Sequence, residues 1–348
     1  MQIAGRKSTW MVVFSALVLI QACWPQQVAT QSSGIPQIRG TEEEDWTSLS
    51  LTSSRLKQEA PVVGEKNEFP LFTRELIQVK WRRGDPIDLY VIRPKNVAKP
   101  PVILYLYSYP SETDRFRDDD YCVRLTRDGF AAIGFVSALT GHRYRNRSMK
   151  EWFVSELEES LVTSVHDVQM ILNFLSSRND LEMSKVGIFG AGSGGSIAIL
   201  AASVDPRIQA VDLLDPWGDW PEWMTKSSIV PESERSNLTK ADFLEKIAWL
   251  DPVQWLSQLH LRHLRIEHVL DDEVTPAIAK NKIESAVPKP AAIVRYDNTG
   301  EFFRAVSGGR IFQWLKDSLQ PTAPAQNFAR TVPKQENGTR AVEPGHDD

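Results

Sequence analysis

Cysteine is nearly absent from this sequence, which contains only Cys23 and Cys122 among its 348 residues. A framework of internal disulfides is therefore excluded, and the fold must rest on a packed core. No histidines or cysteines have the spacing of a metal site, so no metal and no cofactor is predicted. Basic runs are missing too, and the formal net charge is −5. Nucleic acid is thus not an expected partner.

Long apolar runs are also missing, except near the N-terminus. Residues 10–20 (WMVVFSALVLI) form one uninterrupted apolar run behind Arg6 and Lys7. This run is too short to span a bilayer comfortably and is typical of a signal-peptide core. The sequence therefore predicts a signal peptide over 1–22 and an exported protein.

Cys23 ends the stretch LIQAC, which resembles the bacterial lipobox, whose cysteine is lipidated after cleavage. Gln21 stands where a small residue is usual, so lipidation and full secretion both remain open. The expected location is periplasmic, membrane-anchored as a lipoprotein, or secreted. Contact with a membrane is expected only through the signal or a lipid anchor, and nothing in the sequence indicates an oligomeric state.

Composition divides the remainder of the chain into three parts. Residues 23–70 are rich in Gln, Ser, Thr, Glu and Pro and predict a tether, with one loosely packed segment around 46–56. Residues 321–348 carry no apolar stripe and predict a disordered tail. The span between them, 71–320, has the length of one α/β domain.

Within this domain, β-rich runs alternate with helical patterns. Two runs flank the turn signal RRGDP and predict a hairpin over 75–81 and 87–94. Continuous apolar runs at 101–108 and 130–136 then predict strands buried on both faces of a parallel sheet, and further strands are predicted at 185–190, 208–214, 264–270 and 291–297. An apolar stripe over 159–178 predicts a helix. This alternation indicates a mostly parallel, twisted, doubly wound sheet with helices on both faces and an antiparallel start.

Residues 216–250 interrupt this alternation and predict a short lid over the carboxyl ends of the strands, where open α/β sheets bind ligands. Trp217, Trp220 and Trp223 follow one another at three-residue spacing inside it. Such tryptophans either pack the lid onto the domain or face a ligand, and Trp217 and Trp220 are the candidates for the pocket.

The run of strand, glycine-rich turn and helix at KVGIFGAGSGGSIAIL, together with the later LDDEVTP, resembles the α/β-hydrolase superfamily. The resemblance covers about residues 75–320 and is nearest to the dienelactone-hydrolase and prolyl-oligopeptidase-like esterase branches. It implies an α/β-hydrolase fold and a Ser-Asp-His triad in which the serine lies in a Gly-x-Ser-x-Gly elbow.

Two registers fit the elbow. If the glycines are aligned, Gly192 falls on the nucleophile position and Ser193 lies one residue into the helix; counting from Val186 on the strand gives the same result. The other register keeps Ser193 as the nucleophile but shifts the strand by one residue, which exchanges the faces of its side chains. The first register is favoured.

The resemblance places the acid of the triad at Asp272 and its histidine at the position of Glu301. Serine needs a base with a pKa near neutrality, and an exposed glutamate, with a pKa of about 4.3, is a poor substitute. His142 is the other candidate base, although a histidine at this place in relatives is usually structural. Asp272 and Glu301 could also be ordinary helix-capping acids.

Backbone N–H groups of Tyr109 and Ser193 could still converge as an oxyanion hole. The favoured interpretation is an exported α/β-hydrolase-fold protein that has lost serine-hydrolase chemistry and keeps a pocket for a small molecule or partner. The alternative is an active esterase or peptidase that uses Ser193 with Asp272. A third hypothesis makes Asp272 and Glu301 a carboxylate pair for acid–base work. Whether the protein is an enzyme thus remains open.

Overall fold

The computed structural model describes residues 44–109, 111–139, 157–307 and 310–320. The predicted signal peptide, Cys23, His142 and the tail at 321–348 lie outside these residues. The described strands form one nine-stranded sheet in the order β1-β2-β3-β5-β4-β6-β7-β8-β9. They are β1 (Val62–Glu68), β2 (Phe72–Val79), β3 (Ile87–Pro94), β4 (Pro101–Leu106), β5 (Ala131–Phe135), β6 (Glu182–Ala191), β7 (Ile208–Leu214), β8 (His263–Val269) and β9 (Ala292–Tyr296).

The sheet has an antiparallel start and a parallel remainder. The predicted hairpin is confirmed, because β2 and β3 pair in antiparallel register from Phe72↔Pro94 to Val79↔Ile87. β1 extends this edge antiparallel to β2, and β3 also pairs antiparallel with β5. From β5 through β9 all neighbours are parallel. The carboxyl ends of these parallel strands therefore meet along one edge of the sheet.

Helices cover both faces of the sheet. The described α-helices are α1 (Asp119–Thr126), α2 (Leu157–Ser176), α3 (Ser193–Val204), α4 (Trp220–Lys226), α5 (Glu232–Leu238), α6 (Ala241–Ala248), α7 (Pro252–Leu256), α8 (Ala277–Ala286), α9 (Thr299–Ser307) and α10 (Arg310–Leu319). α2 and α3 contribute to the core on one face, whereas α1 and α10 contribute to the core on the other. No described helix is long and apolar enough to cross a membrane.

The packed domain begins earlier than residue 71, so the tether predicted over 23–70 is wrong for its C-terminal part. Residues 62–68 are the edge strand β1, and Leu49 lies in the hydrophobic core. Glu44 is buried and binds Arg82, while His166 of α2 joins Glu44 through Nδ1 at 2.7 Å. Composition concealed the ion pairs of Glu44 with distant residues and the edge strand β1, whereas Leu49 falls within the segment predicted to pack around 46–56.

Buried charges also lie inside the sheet, on β7 and β8. Arg265 donates to both carboxylate oxygens of Asp212, at 2.8 and 2.6 Å, and its Nη2 lies 2.9 Å from Oε1 of Glu267. Burial, with the nearby Asp212 carboxylate as the second cause, raises the pKa of Glu267 to about 8. Burial raises the pKa of Asp212 as well. The raised pKa favours the protonated form of Glu267 in the folded chain.

This raised pKa makes stability depend on pH. An unfolded glutamate loses its proton near pH 4.5, whereas folded Glu267 keeps it up to about pH 8. Its contribution to stability is thus complete below about pH 4.5 and is lost as pH rises through 8. We expect the Glu267→Gln variant to lose less unfolding free energy than the wild type between pH 5 and 8 in urea titrations. The exposed control Glu245→Gln should keep the wild-type slope, and an unchanged slope in Glu267→Gln would contradict the prediction.

Candidate functional site

The elbow lies between β6 and α3, and its turn residue is Gly192. This glycine has φ +53° and ψ −119°, a conformation that is costly for residues with a side chain. Its N–H donates to Leu214 O at 2.9 Å, and its carbonyl accepts from Trp217 N–H at 3.2 Å. Ser193 follows as the first residue of α3. Gly192 therefore occupies the tip of the turn, and Ser193 stands beyond it.

The space above Gly192 is already filled. A Cβ atom added to this glycine would lie 2.5 Å from Ser108 Oγ and 2.8 Å from Ser108 Cβ. The same atom would lie 3.1 Å from Nε1 of Trp217. A side chain cannot project from the tip of this turn unless Ser108 moves.

Ser193 points into the protein. Its side chain is fully buried, and its Oγ accepts from Tyr109 N–H at 3.0 Å. The Oγ atoms of Ser193 and Ser108 are 3.5 Å apart, and Ser193 N–H donates to Ser108 Oγ at the same distance. The two backbone donors predicted to form an oxyanion hole do lie together here. Both of them meet serine hydroxyls of the protein itself.

Asp272 follows β8 and holds a turn. Its Oδ2 accepts from Thr275 N–H at 3.1 Å and lies 3.9 Å from Nζ of Lys280. Burial, with Asp215 as a further raising charge, raises the pKa of this carboxyl. Asp271 instead accepts from the N–H and hydroxyl of Thr299 at the start of α9, each at 2.9 Å. Asp271 and Asp272 thus each accept from a backbone N–H group.

Glu301 lies in the first turn of α9 and completes a capping arrangement. Its N–H donates to Asn298 Oδ1 at 3.0 Å, while its Oε2 accepts from Asp297 N–H at 2.7 Å. This reciprocal pattern is close to a capping box, in which two otherwise unpaired donors are satisfied. Within the described chain, no hydrogen bond joins Ser193, Asp272 and Glu301 to one another. Glu301 therefore has the contacts of a helix cap.

A pair of variants separates the capping role of Glu301 from a role as a base. Glu301→Ala removes the oxygen that accepts from Asp297, and we expect it to cost about 0.5–1 kcal/mol and to speed amide exchange in α9. Glu301→Gln keeps a side-chain oxygen at that position and should retain most of this stability. Equal losses in the two variants, measured by urea unfolding and hydrogen exchange, would contradict the capping role.

The three tryptophans of the predicted lid are buried in the main core. Trp217 lies 4.8 Å from Trp223 between ring centroids, and Trp220 meets Trp223 edge-on at 5.9 Å. Of these side chains, Trp217 reaches the elbow through its Nε1 atom. Residues 216–250 contain α4, α5 and α6, so the interruption of the alternation is real. The role of this segment as a lid stays a prediction.

A buried polar cluster that the sequence did not reveal lies next to Asp272, in the loop that follows β8. Asp215, at φ +41°, meets His268 Nδ1 at 3.0 Å and accepts from Val269 N–H at 3.1 Å. Lys280 lies 3.7 Å from the same carboxylate and donates to the carbonyl of Asp272 at 2.8 Å. No spacing signal links these residues, because they come from β7, β8 and α8. In the described residues, no group of three His, Cys, Asp or Glu side chains could hold a metal ion.

A cavity of about 140 Å³ opens beside the elbow, on the face that carries α1 and α10. Ala191, which precedes Gly192, and Leu214, which accepts its N–H, form one wall. The rest of the lining is mostly aromatic, with Arg115 and Val306 beside the rings of Tyr107, Tyr121, Phe189, Phe302, Phe303 and Phe312. We call this space the elbow cavity. Its lining suits an apolar or aromatic group.

Residues 87–216 match the family model described as the dienelactone hydrolase family. The chain is also 27% identical over 144 residues to "Putative hydrolase YtaP" of Bacillus subtilis (strain 168). This match covers 36% of the chain and 46% of the Bacillus protein, so it spans less than half of that relative.

Solved structures extend the similarity to most of the chain. Acetyl xylan esterase 1 from Thermoanaerobacterium sp. JW/SL YS485 aligns with a TM-score of 0.57 and 16% identity, over 77% of this chain and 93% of that one. The acetyl xylan esterase from Paenibacillus sp. R4 gives 0.59 and 14%, over 78% and 92%. Identities this low show a shared fold and leave the activity open.

Proposed function

Because this chain has the α/β-hydrolase fold, with a dienelactone hydrolase family domain over 87–216, we propose that it binds a small molecule at the elbow cavity without serine-hydrolase chemistry. One observation carries the proposal: the turn residue is Gly192, and Ser108 fills the space into which a nucleophile would project. The ligand is an apolar or ester-like molecule, in keeping with the aromatic walls of the cavity.

The contacts of the Ser193 hydroxyl support the same conclusion. A serine hydroxyl attacks an ester only when a nearby base accepts its proton. Over the described residues, the Oγ of Ser193 contacts Tyr109 N–H and Ser108 Oγ, and no imidazole or carboxylate is among its hydrogen-bond partners. Ser193 is also not among the residues that line the elbow cavity. Ser193 thus acts as a structural hydroxyl at the start of α3.

The occupied backbone donors point the same way. In an esterase, preorganised N–H groups stabilise the negative oxygen of the tetrahedral intermediate. Here Tyr109 N–H and Ser193 N–H already meet serine oxygens, at 3.0 and 3.5 Å. A substrate carbonyl would have to displace both hydroxyls, which costs their hydrogen bonds.

A second candidate is an active ester hydrolase that uses Ser193 with Asp272. The comparisons favour this candidate more directly than they favour lost activity, because the matched family and the curated relative are described as hydrolases. It requires Ser193 to rotate away from Tyr109 and a base to approach it. Glu301 and His142 are the bases that the sequence offers, and His142 lies outside the described residues.

Turnover of 4-nitrophenyl acetate tests the two candidates. We expect wild-type, Ser193→Ala and Asp272→Asn proteins to hydrolyse it at the same rate as the control Ser257→Ala, which changes an exposed serine. Turnover lost in both Ser193→Ala and Asp272→Asn would overturn the proposal in favour of the second candidate. Turnover lost only in Asp272→Asn would indicate the carboxylate-pair chemistry and would overturn it as well.

Export is part of the proposed function and is tested separately. The apolar run at 10–20 and the position of Cys23 support it. Expression in a bacterial host followed by intact-mass analysis should yield a chain that begins at or near residue 23, with added lipid mass if Cys23 is modified. A chain that keeps residues 1–22 in the cytoplasm would refute export.

A further inference from the structure

A second cavity, of about 320 Å³, adjoins the elbow cavity between α1, α9 and α10. The two cavities share Tyr121, Val306 and Phe312 in their walls. The two cavities therefore adjoin along these three side chains, and we call them together the groove, which reaches from the elbow toward the C-terminal end of α1. We call the second part the basic cavity, because of its charged lining: Arg124, Arg127, Asp128 and Lys316.

The charges of the basic cavity do not balance. Arg124, Arg127 and Lys316 supply three positive charges against the single carboxylate of Asp128. Lys316 lies 2.7 Å from Asp128, and Nε of Arg127 lies 3.7 Å from the same oxygen. One carboxylate thus serves two cations, and the walls keep a net charge of about +2 at neutral pH. A cavity with this excess favours an anion.

Among the described residues, two oxygen atoms accept from the ammonium group of Lys316. Its side chain is only 2% exposed, and its ammonium donates to Asp128 Oδ2 at 2.7 Å and to Arg124 O at the long distance of 3.4 Å. An ammonium group has three N–H donors. Burial lowers the pKa of Lys316, and an anion alongside would offset that cost. Charge-assisted hydrogen bonds in such surroundings are stronger than those at an open surface.

The groove joins this charge to an aromatic surface. Arg124 lies over the ring of Tyr121 at 5.4 Å, and Arg115 lies over Tyr107 at 4.7 Å, so cations border the aromatic walls. Phe303 of α9 is 59% exposed and faces the elbow cavity. The walls of the two cavities thus combine cationic and aromatic side chains.

We propose that the groove binds an elongated organic anion whose aromatic or apolar body occupies the elbow cavity and whose anionic group lies against Arg124 and Lys316 in the basic cavity. The anionic group is a phosphate, a sulfate or a carboxylate. This inference deepens the proposed function, because it uses the same elbow cavity and specifies what the ligand carries at its far end.

Fluorescence anisotropy with 1-naphthyl phosphate tests the inference, with uncharged 1-naphthol and inorganic phosphate as the two half-ligands. We expect 1-naphthyl phosphate to bind at least tenfold more tightly than either. Arg124→Gln and Lys316→Met should each raise its Kd about tenfold and leave the Kd of 1-naphthol unchanged within twofold. Arg295→Gln, which alters an exposed arginine elsewhere, should change neither value.

The outcomes separate the two levels of the proposal. Equal affinity for 1-naphthol and 1-naphthyl phosphate, or an unchanged Kd in Arg124→Gln, would overturn the anion site and leave the elbow cavity standing. Failure of both naphthyl probes to bind would overturn the cavity and the proposed function together. Lys316 is buried, and its replacement can unfold the chain. If Lys316→Met does not fold, the exposed variant Arg124→Gln alone decides the result.

Discussion

Replacing Gly192 with serine is expected to lower the free energy of unfolding by about 2–5 kcal/mol. Two costs add at this position. The backbone stands at φ +53° and ψ −119°, which strains any residue with a Cβ atom, and that atom would lie 2.5 Å from Ser108 Oγ. Urea unfolding followed by circular dichroism measures the loss. Gly192→Ala should show a loss of similar size.

Two further variants separate the backbone cost from the collision. Gly84 has a φ of +77° with nothing within 4 Å of an added Cβ, so Gly84→Ala carries only the backbone cost of about 1–2 kcal/mol. Ser108→Gly combined with Gly192→Ser should recover about 1–3 kcal/mol, the part due to the collision. If Gly192→Ser proves as mild as Gly84→Ala, the space above the turn is free and the elbow could accept a nucleophile.

Replacing Arg82 with methionine is expected to cost about 3–5 kcal/mol, because it leaves buried carboxylates without their cation. Arg82 is 9% exposed, and it donates to Glu44 through Nε and Nη2 and to Asp167 through Nη1. Asp85 lies 3.6 Å from the same guanidinium. Hydrogen bonds from Arg82 and His166 hold the pKa of Glu44 below its usual value despite burial. Urea unfolding measures the cost.

An ion pair near the surface serves as the control. Lys80 pairs with Glu59 at 2.9 Å, and these side chains are 35% and 58% exposed. Lys80→Met should cost at most about 1 kcal/mol, since exposed pairs contribute little. Limited proteolysis adds a local readout, because loss of Arg82 should release the segment around Glu44 and make it susceptible to cleavage. Equal losses of unfolding free energy in Arg82→Met and Lys80→Met would contradict the structural role of Arg82.

Most of the sheet could be predicted from the sequence because its central strands are largely apolar runs bounded by turn residues, whereas the polar, exposed edge strand β1 was not predicted. Strands such as β4 and β5 are buried on both faces, and such runs have few alternatives in a chain of this length. The glycines at the elbow likewise indicated a turn with no room for side chains. Apolar runs and glycine spacing involve residues that are close together in the chain, so a single sequence is enough to recognise them.

The remainder depends on contacts between distant residues. Glu44 is held by Arg82 and by His166 of α2, and no local pattern in the polar sequence around Glu44 indicated these contacts. The cluster of Asp215, His268 and Lys280 is assembled from three separate elements. No spacing along the chain could show that Ser108 would lie above Gly192, because strand order brings β4 beside β6.

Reaction with a fluorophosphonate, followed by intact-mass and peptide analysis, tests most directly whether the elbow has lost its nucleophile. A serine activated by a base forms a stable covalent adduct with this reagent, whereas an unactivated hydroxyl does not. We expect no adduct on the wild-type chain. An adduct on Ser193 that disappears in Ser193→Ala but persists in the exposed control Ser257→Ala would contradict the account.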